Sequence, residues 1–257
     1  MLKNQVIVIT GASSGIGAET ARLLSEQGAK VILAARSLDK LEAVGRTLKG
    51  PYEIIELDVG SDASVGHAFE QIWASNPRID CLLNNAGYGR FERFVDTTVS
   101  EFEDMMNVNY LGIVRCTRAV LPRMLEQGGG QIVNVASMAG KLATAKSTAY
   151  SATKHAVLGF TNALRQEVRG TGIVISAVNP GPIDTPFFTL ADPGGDYVKN
   201  VGWMMMKPQR VSKAIVKVIE RRKAEVDLPW IAGFGTRLYQ LVPRLADKLT
   251  YKFINKK

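Results

Sequence analysis

The chain predicts an α/β fold: a single domain on a parallel, doubly wound sheet of about seven strands, with helices on both faces. Three observations carry this. Short β-branched apolar runs alternate with longer helical segments along the chain. The first run leads into a glycine-rich turn that opens a helix. Polar and turn-forming residues recur where each strand ends, the edge at which such sheets bind ligands.

Val6–Ile9 is short, apolar and β-branched, the pattern of a buried strand. It runs into Thr10, Gly11, Ala12, Ser13, Ser14, Gly15, Ile16 and Gly17, and then into helical Ala18–Gln27. Glycines there let the backbone approach a ligand, and a helix N-terminus offers free N–H groups to a pyrophosphate. The spacing is Gly-x3-Gly-x-Gly. Further strands are expected at Lys30–Ala35, Tyr52–Leu57, Cys81–Asn84, Gln131–Ala136, Ile173–Val178 and Glu225–Leu228. Helices are expected at Leu38–Leu48, Ser61–Ala74, Val99–Leu125, Thr148–Arg169 and Val211–Arg222. The strand ends carry Arg36 after the second, Asp58 after the third, and Asn84, Asn85, Ala86 and Gly87 at the fourth. Ser137 follows the fifth, and Asn179, Pro180 and Gly181 follow the sixth. Any one of these suits an ordinary turn. Together they predict a long dinucleotide cleft of Rossmann type along one sheet edge, with chemistry at its far end.

A chain of 257 residues, 46% of them apolar, suits one large domain and needs no second. No apolar run is long enough to span a membrane. The glycine motif starts at Thr10, which leaves no room for a targeting peptide, so a cytoplasmic location is expected. Cys81 and Cys116 read as core thiols of a reducing compartment. His67 and His155 have no ligand spacing, and no metal site is expected. The net charge of +8 is uneven: residues 207–257 hold 13 Lys and Arg against 4 Asp and Glu, whereas residues 1–206 hold 19 against 20.

Tyr150 and Lys154 stand at i and i+4, so on a helix both project from one face. A free phenol titrates near pKa ~10, and a neighbouring ammonium is expected to lower that value. Ser137 is placed to hold a carbonyl or alcohol oxygen near the phenol. This is equipment for moving a proton on and off an oxygen.

These motifs, with Asn107–Asn109 and Thr185, resemble those of the short-chain dehydrogenases/reductases, in the compact single-domain subtype, in order and spacing over residues 5–186. The resemblance implies that Tyr150 is the acid/base and that Lys154 lowers its pKa and binds the nicotinamide ribose. It implies that Ser137 holds the substrate oxygen and that Asn109 anchors a water linking Lys154 to solvent. The turn from Gly11 to Gly17, with Ser13, Ser14, Gly15 and Ile16, takes the pyrophosphate. Asp58 bonds the adenine amino group beside Val59. Asn85, Ala86 and Gly87 lie along the cofactor. The Ile183 backbone and the Thr185 side chain hold the carboxamide, and Pro180 and Gly181 also bind the cofactor. An acid at the end of strand two would bond a ribose 2′-hydroxyl and select NAD. Ala35 stands where NAD-preferring relatives carry Asp, and Arg36 can meet a 2′-phosphate. NADP(H) is therefore expected over NAD(H), and the reaction is interconversion of a carbonyl and a secondary alcohol. A homo-oligomer, dimer or tetramer, joined through the two long helices is implied as well.

Residues 187–207, with Phe187, Phe188, Leu190, Tyr197 and Trp203–Met206, suggest an adaptable apolar lid over the substrate, hinged at Ala191–Gly195. The alternative is that Trp203–Met206 packs in the core or at a subunit contact. Residues 230–257 form a basic extension. Leu238, Leu241, Val242, Leu245, Leu249 and Phe253 recur at helical spacing beside Arg237, Arg244, Lys248, Lys252, Lys256 and Lys257, and Pro243 suits a first helical position. Such a helix can lie on an anionic membrane, here at its inner face, or dock on its own core or on a partner. No motif accompanies the charge that would bind nucleic acid. A rival reading is a sensor or scaffold that binds NADPH without turnover, which a Tyr150→Phe variant would leave unaffected. A sugar epimerase would need a further substrate domain.

Overall fold

Side chains along a strand alternate between faces, and that alternation builds the two-sided core. In the computed structural model, which describes residues 2–244 together with Ala246 and Lys248, Ile7 and Ile9 of β1 (Val6–Thr10) enter one apolar cluster and Val8 the other. Val31 and Leu33 of β2 (Lys30–Ala35) likewise oppose Ile32. β3 (Tyr52–Glu56), β4 (Cys81–Asn84), β5 (Gly130–Val135), β6 (Ile173–Pro180) and β7 (Glu225–Leu228) complete a seven-stranded sheet of order β3-β2-β1-β4-β5-β6-β7. Every pairing is parallel. β6 runs two residues beyond its expected end because Asn179 and Pro180 pair with Asp227 and Leu228. The order reverses at β1, and a crevice opens there between the turns after β1 and β4.

Helices α1 (Gly15–Glu26), α2 (Leu38–Gly45) and α9 (Pro208–Arg221) cover one face of the sheet. The other is covered by α3 (Asp62–Ser75), α5 (Gly112–Glu126) and α6 (Thr148–Glu167). Cys81 and Cys116 are buried free thiols on opposite faces of the sheet, Cys81 in the first cluster and Cys116 in the second. Thr98 starts α4 (Val99–Met106) with a reciprocal cap: its backbone N–H donates to Glu101 at 2.8 Å and its hydroxyl accepts from the Glu101 N–H.

The segment Val99–Leu125, expected as one helix, is divided. A π-helical turn at Asn107–Leu111 separates α4 from α5. Such a turn interrupts the regular ladder, with the Gly112 N–H donating to the Asn107 carbonyl. Arg115 braces it, donating to the carbonyls of Asn107 (3.3 Å) and Val59 (3.2 Å). Three helices are not apparent as separate elements in the sequence: α7 (Phe187–Ala191), α8 (Asp196–Val201) and α10 (Trp230–Leu241). The backbone breaks at Val242 and turns helical again at Pro243 and Arg244. Leu245, Leu249, Lys252, Phe253, Lys256 and Lys257 of the expected basic helix lie outside the described residues.

Beneath the carboxyl ends of β4 and β5 runs a buried polar chain. Asn84 Nδ2 donates to Asn134 Oδ1 (2.9 Å), Asn134 Nδ2 to Thr161 Oγ1 (2.9 Å), and the Thr161 hydroxyl to the Val157 carbonyl (2.6 Å). It ties β4 and β5 to α6. Removing one link strands buried donors and acceptors. Asn134→Ala should therefore destabilise the protein by about 1–3 kcal/mol, read as a lower urea midpoint with an unchanged slope; an unshifted midpoint would mean the chain contributes nothing.

Candidate active site

The turn after β1 comes so close to the turn after β4 that no side chain fits between them. Gly11 has φ +66°, and a Cβ there would lie 2.8 Å from Ala86 Cα. Thr10 Oγ1 accepts from the backbone N–H groups of Asn85 (3.0 Å) and Ala86 (3.1 Å). Asn85 Nδ2 donates back to the carbonyls of Thr10 (3.0 Å) and Gly11 (3.1 Å). A Cβ on Gly17 would collide with the Gly11 carbonyl. The first turn of α1 carries no acidic side chain, so its unpaired N–H groups and positive pole face the crevice uncompensated.

A cleft of about 1330 Å³ runs along the carboxyl edge of the sheet. That exceeds the ~300–1,000 Å³ typical of a single small-ligand pocket. Of the residues singled out from sequence, Gly11, Ser13, Ser14, Gly15, Ile16, Arg36, Asp58, Val59, Asn85, Ala86 and Gly87 line one part of it. Ser137, Tyr150, Lys154, Pro180, Gly181, Ile183 and Thr185 line the rest. Gly17 and Asn109 stand behind the wall. Asn109 is fully buried; its Oδ1 accepts from the Tyr88 N–H (2.9 Å), and its Nδ2 donates to the Tyr88 carbonyl (2.8 Å) and Thr153 Oγ1 (3.2 Å). The sequence reading missed Lys40, which also lines the cleft. Lys40 stands four residues after Arg36, and that spacing was the available signal. It missed Tyr88 and Phe91 too, because a loop has no periodicity to place them.

α6 presents Tyr150 and Lys154 to the cleft, and the end of β5 presents Ser137. Ser137 Oγ accepts from the Ala139 N–H (3.1 Å) and donates to the Pro180 carbonyl (3.3 Å). Lys154 Nζ donates to the Val135 carbonyl (2.9 Å) and lies 5.7 Å from the Tyr150 ring centroid. Burial pushes the Tyr150 phenol up to about 12, against the opposing pull of its hydrogen bond with Ser137. Burial also lowers Lys154 to about 8. The phenol thus stands above its ordinary value, because the cost of burying the phenolate outweighs the Ser137 hydrogen bond.

Aromatic rings surround Tyr150. Phe91 lies 5.9 Å away edge-on and Phe187 5.6 Å away, and Tyr197 of α8 closes on Phe91 at 4.9 Å and Phe188 at 5.5 Å. Burial raises the Tyr197 phenol, with Tyr150 and Asp192 adding to the shift. The run Trp203–Met206 divides between its two readings. Met206 is buried and its backbone pairs beside Ile183, accepting from the Asp184 N–H (3.0 Å). Met204 lines the cleft, and Trp203 projects outward, 82% exposed.

The sequence pattern of the family described as short chain dehydrogenase matches residues 5–193. An uncharacterised oxidoreductase of Staphylococcus aureus (strain MRSA252) is 34% identical over 224 residues, covering 87% of this chain and 94% of the relative. Among solved structures, a short-chain dehydrogenase from Streptomyces avermitilis has a TM-score of 0.83 at 28% identity, over 97% of this chain and 96% of that one. An alcohol dehydrogenase from the archaeon Thermococcus sibiricus, complexed with 5-hydroxy-NADP, has a TM-score of 0.79 at 28% identity, over 88% and 96%.

The close approach of the two turns can be tested by adding one methyl group. Gly17→Ala should cost about 1–3 kcal/mol through overpacking. Gly66→Ala on α3, where a Cβ meets nothing within 4 Å, should stabilise by roughly 0.4–1 kcal/mol. Urea unfolding of both variants checks the contrast, and equal effects would refute it.

Proposed function

The chain belongs to the short-chain dehydrogenase family, and on that premise we propose an NADP(H)-dependent oxidoreductase. It interconverts a carbonyl and a secondary alcohol on a small-to-medium apolar substrate, with Tyr150 as acid/base. The observation that carries this is one continuous cleft. A glycine cradle and two cations line one end of it, and Ser137, Tyr150 and Lys154 line the other.

The cleft suits a nicotinamide dinucleotide phosphate. The α1 N-terminus and the turn from Gly11 to Gly17 fit a pyrophosphate, and Asp58 and Val59 flank the adenine end. Arg36 and Lys40, both exposed, fit a 2′-phosphate, with the buried Ala35 leaving no acid there. Ile183, Thr185, Pro180 and Gly181 fit the carboxamide end. The bound dinucleotide supplies hydride exchange with a carbon.

The chain's own groups do the rest. Ser137 Oγ holds the substrate oxygen. Tyr150 passes its phenolic proton to that oxygen as the carbon is reduced, and its phenolate takes the alcohol proton in the reverse direction. Lys154, charged below about pH 8, favours that phenolate. Asn109 acts as a positioning residue: it fixes the Tyr88 backbone and Thr153, whose hydroxyl donates to the Tyr150 carbonyl (2.8 Å). From Phe187 onward the described lining includes Phe187, Phe188, Leu190, Met204, Leu238 and Val242 and no charged side chain. The substrate is therefore uncharged and apolar on that side. A cytoplasmic homo-oligomer belongs to the same reading, its association supported by the exposed Val99 of α4, Leu111 of the π-helical turn and Leu125 of α5.

Tyr150→Phe should lower ketone reduction ~10²–10⁴-fold while NADPH affinity stays within about twofold. Unchanged turnover would sink the mechanism and favour the sensor. The pH dependence has a definite sign. A phenol raised to about 12 stays protonated at neutral pH, so reduction should hold between neutral pH and the Lys154 transition. Oxidation needs the phenolate and should rise with pH; a falling oxidation profile would contradict the assignment.

Arg36→Ala and Lys40→Ala should each weaken NADPH roughly ten- to a hundredfold, the worth of a charge-assisted hydrogen bond, and leave NADH nearly unchanged. Titration of both nucleotides decides it; equal losses would remove the 2′-phosphate role.

A further inference from the structure

Helix α10 has two apolar sides. Its inner side closes the substrate half of the cleft: Ala232, Gly235 and Thr236 line it. Its outer side carries Trp230, Ile231, Phe234, Leu238 and Leu241 at i, i+1, i+4, i+8 and i+11, one stripe on an α-helix. All five are exposed, Trp230 at 72% and Leu241 at 77%. A contiguous apolar patch of this kind marks an interaction surface.

We propose that this stripe docks on an anionic lipid surface and that the apolar substrate enters the cleft from it. Three observations select the occupant. First, the flank is basic: residues 230–257 contain six Lys and Arg and a single acid, Asp247; Arg237 is exposed on α10 itself, and Arg244 and Lys248 are exposed just beyond its end. Apolar residues headed by a Trp and flanked by cations suit the lipid–water boundary, whereas a self-association face would set this charge against itself. Second, the stripe and the cleft share residues. Leu238 is at once 51% exposed and part of the cleft lining, and the neighbouring Val242 is likewise both, at 53%. The apolar surface is therefore continuous from the outside into the substrate half. Third, Leu190 and Met204, which line the cleft from the α7–α8 side, are also exposed, so the mouth has apolar residues on both sides. Among the described residues no helix is long and apolar enough to cross a membrane, which makes this a surface contact in the interfacial plane.

The idea rests in part on the apolar-substrate reading above, and the test separates the two. Full-length protein is sedimented with vesicles of phosphatidylglycerol mixed equally with phosphatidylcholine, and with vesicles of phosphatidylcholine alone. The comparison protein carries Ile231→Ser, Phe234→Ser and Leu241→Ser, none of which lines the cleft. The parent should sediment with the anionic vesicles only and be released by salt, since the polybasic attraction is screened. Each serine should lower partitioning roughly tenfold, while NADPH-dependent reduction of a water-soluble ketone is retained. A ketone dissolved in anionic vesicles should be reduced faster by the parent than by the triple variant. Failure of the parent to bind at low salt overturns the docking, as does equal binding to neutral vesicles. A parent dimer that the triple variant dissociates, without vesicle binding, would assign the stripe to a second copy instead. Vesicle binding without turnover of any ketone would leave the docking standing and remove the reductase reading.

Discussion

The two turns held together by Thr10 and Asn85 are the constraint on which the rest depends. β1 pairs with β2 on one side and β4 on the other, and the sheet reverses its winding between them. Four hydrogen bonds cross that crevice, each close to 3 Å. They close only because Gly11 and Gly17 bring no Cβ into the gap. The same approach leaves the first amides of α1 facing the cleft. A side chain at either glycine would push the turns apart and disturb both the sheet edge and the cradle.

From that crevice the geometry passes to the catalytic end through packed polar groups. Asn109, within the π-helical turn, holds the Tyr88 backbone and Thr153 through its side-chain amide. Thr153 in turn bonds the Tyr150 carbonyl. Asn84, Asn134 and Thr161 brace the strands below. Tyr150 and Lys154 are thus fixed in a site that desolvates both. Burial raises the phenol to about 12 and lowers the ammonium to about 8. The pair is tuned by exclusion of water more than by direct charge contact, since Nζ bonds the Val135 carbonyl.

Much of this was legible in the chain. The central strands, buried on both faces, read as short apolar runs, and all seven strands were found with end errors of at most two residues, none for β2, β4 and β7. The glycine turn, Ser137, Tyr150 and Lys154 were legible because their spacing is set by local geometry, strand to turn or one helical turn. The π-helical turn was hidden because Asn107–Leu111 keeps helical composition while changing only its bonding. α7 and α8 were hidden because their short patterns acquire meaning only against the cleft they cover, and of α10 only the end at Leu238 and Leu241 was read as helical. Lys40 was overlooked although it lies one helical turn beyond Arg36.

By itself the sequence determined the fold class and marked the glycine turn, Ser137, Tyr150 and Lys154 as residues that would meet along one cleft, because these follow from periodicity, short-range spacing and a recognisable set of motifs. Only the tertiary structure decided how buried Tyr150 and Lys154 are, and therefore the direction in which each titrates. It also decided how Trp203–Met206 divides between core, cleft and surface, and which side of α10 faces outward. These properties depend on which distant segments exclude water from a given side chain. Exclusion of that kind depends on the packed arrangement and leaves no period in the chain.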